Sequence, residues 1–318
     1  MSSPELLSLK IVRRRDIAER VVALDLAAPD GAPLPAFTAG AHLDVHVAPG
    51  VTRCYSLWGD PADSRLYRIA VLLEPSGRGG SKAVHGGLPE GGAVTVGLPR
   101  NAFPLDEGAP HTLLLAGGIG ITPLLAMAAR LTAIGRPFAL HAFFRSAAAA
   151  PLRDEAEQLA GTRLHVHLDD EPSSRLDLAA LAAAQPPGTH AYVCGPRGFM
   201  EAAVAALRMR LPEGAIHTES FSPPEAEAGD RPFICDLARS GRSIPVPADR
   251  SLLSVLIESG LPMDWSCEQG LCGVCVTPVL GGVPDHRDHY LSPAERVGNT
   301  LMTPCCSRAL TDRLVLDL

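Results

Sequence analysis

Hydrophobic and polar positions alternate in short runs through the first hundred residues. Val21-Val22-Ala23-Leu24-Asp25-Leu26, His42-Leu43-Asp44-Val45-His46-Val47 and Tyr67-Arg68-Ile69-Ala70-Val71-Leu72 each stand between glycine and proline punctuation. Short strands at such spacing predict a β-barrel. The pattern then changes. Apolar runs at 112–116, 138–144, 164–168 and 190–194 alternate with alanine-rich stretches at 123–134, 177–184 and 198–210. Strand and helix periods taking turns in this way predict a parallel α/β sheet. Residues 222–230 mix proline with charge and read as a solvated linker. Beyond them an apolar strand at 233–237 and a helix near 251–259 lead into a cysteine-rich loop. A chain of 318 residues is too long for one ordinary core, and these shifts divide it at 1–105, 106–224 and 225–318.

The cysteine loop carries the strongest chemical signal. Cys267, Cys272 and Cys275 are separated by four and two residues, and Cys305 follows after twenty-nine more. This is the plant-type [2Fe–2S] spacing. A two-iron cluster needs four thiolates in a small volume, so three come from one tight loop and the fourth returns from a distant segment. Gly270 and Gly273 let that loop fold closely and bring N–H groups toward sulfur. A zinc ribbon would need a second C-x2-C or an H-x3-5-H pair, and the segment from residue 225 onward has neither; Cys305 and Cys306 are neighbours and poorly placed to share one tetrahedral ion. Cys305 is the expected ligand and Cys306 is not.

Two glycine turns mark the middle segment. The strand ending at Ala116 runs into Gly117, Gly118, Ile119, Gly120, Ile121, Thr122 and Pro123, then a helix. Backbone N–H groups at a helix N-terminus favour an anion such as a pyrophosphate. Close strand-to-helix packing would call for the same glycines. A second turn, Cys194-Gly195-Pro196, ends another strand at the same expected edge of the sheet, where ligands of open α/β sheets bind. In the first segment, Arg53, Tyr55 and Ser56 offer a phosphate partner, a flat ring and a hydroxyl able to bond a flavin ring nitrogen. Arg78, Gly79, Gly80 and Ser81 supply a cation, close N–H groups and a second hydroxyl, which is phosphate-binding chemistry.

Charge and hydropathy exclude some classes. A net charge of −7 argues against nucleic acid. Apolar stretches such as 112–129 are interrupted by glycine and proline, so no membrane-spanning helix is expected. With no recognisable signal peptide, the expected location is cytoplasmic. From residue 225 onward there are 13 Asp or Glu against 8 Lys or Arg, an acidic balance suited to steering a basic partner.

On these residues the whole chain resembles the phthalate dioxygenase reductase and vanillate O-demethylase reductase family. The resemblance implies an antiparallel Greek-key flavin barrel, an α/β parallel-sheet nucleotide-binding domain and a β-grasp ferredoxin-like domain, in that order. It implies FMN rather than FAD at Arg53, Tyr55, Ser56, Arg78, Gly79, Gly80 and Ser81. It implies NADH at Gly117, Gly118, Gly120, Thr122, Cys194, Gly195 and Pro196, with Glu219 and Phe221 near both rings. Ser56, Thr122, Cys194 and Glu219 are the expected positioning or proton-handling groups. Arg145 is the lone cation after the second strand of the α/β segment, which favours NADH over NADPH. The implied function is electron supply from NADH through FMN and a [2Fe–2S] cluster to a Rieske-type oxygenase or O-demethylase acting on an aromatic compound, by a monomer. A free-standing diaphorase, a donor to a cytochrome and a redox-sensing binding protein are the alternatives. Cys54 departs from the family pattern, which often has threonine there.

Overall fold

The computed structural model describes residues 5–77, 79–221, 227, 229–265, 267–270, 272–288 and 290–318. Chain contacts separate two compact units, one of Met1–Pro49 with Arg53–Phe221, the other of Gly50–Thr52 with Ser222–Leu318. The first unit holds the barrel and the parallel sheet together.

The barrel is built from β1 (Leu6–Ala18), β2 (Val21–Ala27), β3 (Ala41–Ala48), β4 (Val51–Ser56) and β5 (Tyr67–Leu72), then helix α1 (Gly80–Gly87), β6 (Ala93–Gly97) and the short β7 (Arg100–Asn101). The strands lie in the order β4-β3-β6-β1-β2-β5, with β7 on β3. Just past β4 the chain bridges to strands on either side: Leu57 N–H donates to Ala41 O at 2.8 Å and Trp58 N–H to Arg68 O at 3.0 Å. Strand β2 does not keep the expected half-buried alternation. Every residue from Val21 to Leu26 is buried, so it is covered on both faces. Asp25 is 6% exposed there, with the Arg15 guanidinium 3.9 Å away.

The parallel sheet comprises β8 (His111–Gly117), β9 (Phe138–Phe144), β10 (Leu164–Leu168), β11 (Thr189–Cys194) and β12 (Ile216–Glu219), interleaved with α2 (Ile121–Ala133), α3 (Arg153–Ala160), α4 (Leu178–Ala183) and α5 (Arg197–Arg208). The order is β10-β9-β8-β11-β12, and each neighbouring pair is parallel. The winding therefore reverses between β8 and β11, where ligands gather in such sheets. Leu113, Leu115, Ala191 and Val193 pack against Ala203 and Leu207 of α5 in one apolar layer. Helix α2 starts two residues ahead of Pro123, inside the first turn, where a missing N–H costs nothing. Asp177 is the cap of α4 rather than its first residue, accepting from Ala179 N at 2.9 Å and Ala180 N at 3.2 Å.

The second unit carries β13 (Phe233–Leu237), β14 (Arg242–Val246), α6 (Leu252–Glu258), β15 (Thr277–Gly281), β16 (Pro284–Asp285), α7 (Pro293–Gly298), β17 (Leu301–Met302), β18 (Arg308–Ala309) and β19 (Arg313–Leu316). Its main sheet is ordered β14-β13-β19-β15-β17, with β13 and β19 parallel at its centre and the other pairs antiparallel. Ser251 caps α6. Leu252, Val255 and Leu256 of that helix share a core with Phe233, Cys235, Leu314 and Leu316. One helix packed on a mixed sheet is the β-grasp arrangement. Of the expected linker, 222–226 and 228 lie outside the described residues. Its last residue is anchored rather than solvated: Asp230 Oδ1 accepts from Arg287 Nη2 at 2.6 Å.

Candidate functional site

Strand β4 ends at the flavin motif. Extended backbone sends Arg53 and Tyr55 to one face and Ser56 to the other. The Arg53 stem lies across the start of α1, since a Cβ added to Gly80 would come within 2.5 Å of Arg53 Nε and 2.7 Å of its Cγ. Two motif segments far apart in sequence therefore meet, and only glycine leaves room for the arginine. Gly79 takes φ +85, and nothing lies within 4 Å of where its Cβ would stand. Ser81 Oγ accepts the Glu74 N–H at 2.9 Å, which fixes the loop ahead of the helix. An arginine beside open N–H groups at a helix start fits a phosphate. Arg78 lies outside the described residues. Tyr55 is half-buried, and burial pushes its phenol well above the usual range, so it presents a neutral ring. Cys54 is half-buried and donates to Asp44 Oδ1 at 2.9 Å.

The two turns at the sheet reversal pack on each other. A Cβ on Gly120 would stand 2.3 Å from the Cys194 carbonyl oxygen, and one on Gly195 would stand 2.8 Å from Gly117 Cα. Phe199, in the first turn of α5, closes over both, 2.8 Å and 2.9 Å from the corresponding positions on Gly117 and Gly195. Three of the four glycines are thus required by close packing. Gly118 differs, with φ +54 and nothing within 4 Å. It is the point where an anion can approach the main chain ahead of α2. Thr122 is 2% exposed and donates to Ile119 O at 3.0 Å, bracing that turn. Pro196 caps α5 from an extended conformation.

Strands β11 and β12 pair Cys194 with Glu219. Both are buried. Burial first, and the adjacent Glu219 second, push the Cys194 thiol far up, so it stays an uncharged thiol rather than a thiolate. Ser56 Oγ lies 3.4 Å from Glu219 Oε2. This contact joins the end of barrel strand β4 to the end of β12. Burial raises the Glu219 carboxyl to about 8, against a smaller downward pull from Ser56. Phe221, two residues further on, is exposed. Phe199 and Asp44 carry no role in the sequence reading. The first was hidden because its partners are glycines, and the second because its partners Cys54 and Arg100 lie on other strands.

In the second unit, Cys272, Cys275 and Cys305 are each about 5% exposed or less. Cys275, Cys305 and Cys306 share an apolar cluster with Leu253. Hydrogen bonds with Cys275 and Cys306, together with burial, push the Cys305 thiol up. Such crowding of thiols suits metal, which binds them deprotonated. Two amides in the loop turn toward thiol sulfur: Gln269 N–H donates to Cys267 Sγ at 3.3 Å and Cys267 N–H to Cys272 Sγ at 3.5 Å. Gly270 and Gly273 both take φ +71. The residues present fit a [2Fe–2S] cluster. Cys306 Sγ lies 3.3 Å from Thr303 Oγ1 and packs against Gly270 of the loop.

Residues 235–310 match the family model described as a 2Fe-2S iron-sulfur cluster binding domain. The chain is 46% identical over 301 residues to phenoxybenzoate dioxygenase subunit beta of Ectopseudomonas oleovorans, covering 95% of this chain and 94% of that one. It is 44% identical over 308 residues to a vanillate O-demethylase oxidoreductase of a Pseudomonas species, covering 96% and 97%. A solved structure of phthalate dioxygenase reductase, described as modular for electron transfer from pyridine nucleotides to [2Fe–2S], superposes with a TM-score of 0.73 at 39% identity over 98% of each chain. The chain belongs to this family of oxygenase reductases. The reductase is accordingly an iron–sulfur oxidoreductase, with barrel, parallel sheet and ferredoxin-like domain in the family's order. No helix among its described residues is long and apolar enough to cross a membrane.

Proposed function

We propose that the reductase supplies electrons from NADH, by way of FMN and the cluster held by Cys267, Cys272, Cys275 and Cys305, to a Rieske-type oxygenase acting on an aromatic compound. The observation that carries this reading is the Ser56–Glu219 contact at 3.4 Å. It sets the hydroxyl of the flavin motif beside the carboxyl and thiol that border the nucleotide turns. When bound, the flavin supplies the conversion between two-electron and one-electron transfer, which neither nicotinamide nor cluster can perform. The chain's own groups bind and orient. Arg53, Gly79, Gly80 and Ser81 hold the flavin phosphate, Tyr55 flanks the ring, and Ser56 bonds its polar edge. Gly118 admits the pyrophosphate of NADH, Thr122 and Pro196 brace the two turns, and Cys194 forms a dry wall for the nicotinamide. Glu219 holds a proton near both rings at neutral pH.

NADH fits better than NADPH because one exposed cation, Arg145, follows β9, and an alanine run succeeds it. A 2′-phosphate calls for more positive charge at this place. The protein works as a monomer in the cytoplasm.

Purified protein tests the reading directly. The released flavin runs as FMN on chromatography, NADH bleaches both the flavin and the cluster bands far faster than NADPH, and a Rieske oxygenase turns over aromatic substrate when the three are mixed. Electrons that reach artificial acceptors but no Rieske oxygenase would overturn the partner assignment.

A further inference from the structure

The segment between the third and fourth cluster cysteines lies against both glycines of the cysteine loop. A Cβ on Gly270 would stand 2.7 Å from Asp288 Cα and 2.8 Å from Asp288 Cβ, with Cys306 Sγ at 2.5 Å. A Cβ on Gly273 would fall into the Tyr290 ring, 2.2 Å from its Cζ. Asp288 and Cys306 at Gly270, and Tyr290 at Gly273, therefore occupy the space that any other residue at these positions would need. Asp288 is held firmly. Its side chain has no exposed surface, and Oδ2 accepts from Tyr290 N at 3.1 Å and Leu291 N at 2.7 Å. Arg296 of α7 faces it, 3.7 Å from Oδ2, and also donates to the Asp288 carbonyl. Asp288 Oδ1 has no hydrogen-bond partner among the described residues; His286 Nδ1 lies 3.8 Å from it. A carboxylate without exposed surface, only partly matched by its arginine, thus stands against the loop that supplies three of the four thiolates.

We propose that Asp288 and Tyr290 clasp the cluster loop, and that the buried Asp288 carboxylate acts as a positioning residue that holds the cluster's reduction potential low. The inference rests on the four cysteines being the cluster ligands. Reduction adds one electron to the cluster, and a fixed negative charge beside the loop opposes that addition. Outer groups of this kind commonly tune a metal centre through its ligands.

Midpoint potentials of the full-length holoprotein, read by EPR during redox titration, test the idea. Asp288→Asn keeps an acceptor for the Tyr290 and Leu291 amides and removes the charge. The expected result is a shift of the reduction equilibrium by about tenfold toward the reduced cluster, a rise of about 59 mV for one electron. Arg296→Gln removes the opposing charge at a partly exposed site on α7 and shifts the potential the other way. It keeps the test decisive if Asp288→Asn fails to retain its cluster. Glu295→Gln, losing an exposed charge on the same helix, leaves the potential where it was. An unchanged potential in both Asp288→Asn and Arg296→Gln, with the EPR signal intact, overturns the proposal, as does an equal shift in Glu295→Gln. A parent protein without any [2Fe–2S] signal overturns the ligand assignment itself.

Discussion

The two glycine-rich turns of this reductase look alike as sequence and differ as structure. At the sheet reversal, Gly120 and Gly195 are needed because two backbones touch, Gly117 because the Phe199 and Pro196 side chains stand where its Cβ would be, and only Gly118 is open. In the cysteine loop, Gly270 and Gly273 take φ +71 and receive side chains from another segment, Asp288 and Tyr290. The first turn is tight chiefly because main chain meets main chain at Gly120 and Gly195, where the backbone cannot swing away. The second is shaped from outside, so its chemistry can be adjusted by residues that bind nothing themselves. Glycine spacing alone does not distinguish these cases; the neighbour that fills the missing side chain does.

The largest expected effect separates the two cysteines at the end of the second turn's cluster site. Cys305→Ser should lose nearly all [2Fe–2S] absorbance and EPR signal, while Cys306→Ser should keep both, because the Cys306 sulfur is engaged by Thr303 Oγ1. Iron and sulfide content per chain measures this. The reverse pattern would reassign the fourth ligand.

At the sheet reversal the comparison can be broken with alanine. Gly120→Ala pushes a methyl to 2.3 Å from the Cys194 carbonyl oxygen, which is main chain and cannot swing away. A loss of about 3 kcal/mol in urea unfolding is expected, in the upper range for overpacking. Gly118→Ala meets no atom within 4 Å and pays only for its φ of +54, about 1 kcal/mol. Its KM for NADH should nevertheless rise more than about tenfold, because the methyl stands where the pyrophosphate approaches. An unchanged KM in Gly118→Ala would remove the nucleotide from this turn.

Glu219 gives the next effect. Burial raises its carboxyl from 4.5 to about 8, so between those values the folded protein holds a proton that the unfolded chain has released. Stability therefore falls as pH rises through that window, and is unaffected below it. Glu219→Gln cannot ionise and should be spared the fall. At pH 8 the variant is expected to exceed the parent by on the order of 2 kcal/mol, and at pH 4 the two should unfold alike. Parallel stability curves across the whole range would show that Glu219 does not hold its proton.

The legible parts of the molecule were those written in local periodicity or in ligand spacing. Cysteine spacing revealed the cluster site because a four-thiolate centre tolerates few arrangements, and the strands at 138–144, 164–168 and 233–237 were read to the residue because their flanks change abruptly. Helix α1 was missed: Gly80, Gly86 and Gly87 make it look like a loop, and contact with Arg53 rather than propensity positions its start. Strand β2 looked half-exposed because Asp25 interrupts it, yet Arg15 from β1 lies beside that charge. His165 and His167 alternate along β10, a pattern that by itself implies ordinary sheet surface. His167 instead bonds His141 at 3.0 Å and the Ser174 carbonyl at 2.6 Å, partners that lie on another strand or in the following turn. What escaped the sequence was contact between segments distant in the chain, including the Asp288 and Tyr290 clasp.

The smallest expected effect lies at Cys54, where the family resemblance leads one to expect threonine. Its thiol donates to Asp44 Oδ1 at 2.9 Å, and Asp44 also takes the Arg100 guanidinium. A threonine hydroxyl can make the same donation from the same backbone, and its branched side chain suits a strand. Cys54→Thr should therefore bind FMN within about twofold of the parent and change stability by less than about 0.5 kcal/mol. Flavin retention on dilution and urea unfolding would check both numbers. A large loss would mean that the sulfur itself is needed, and that the Asp44 contact is not what holds this stretch of β4 beside the phosphate loop.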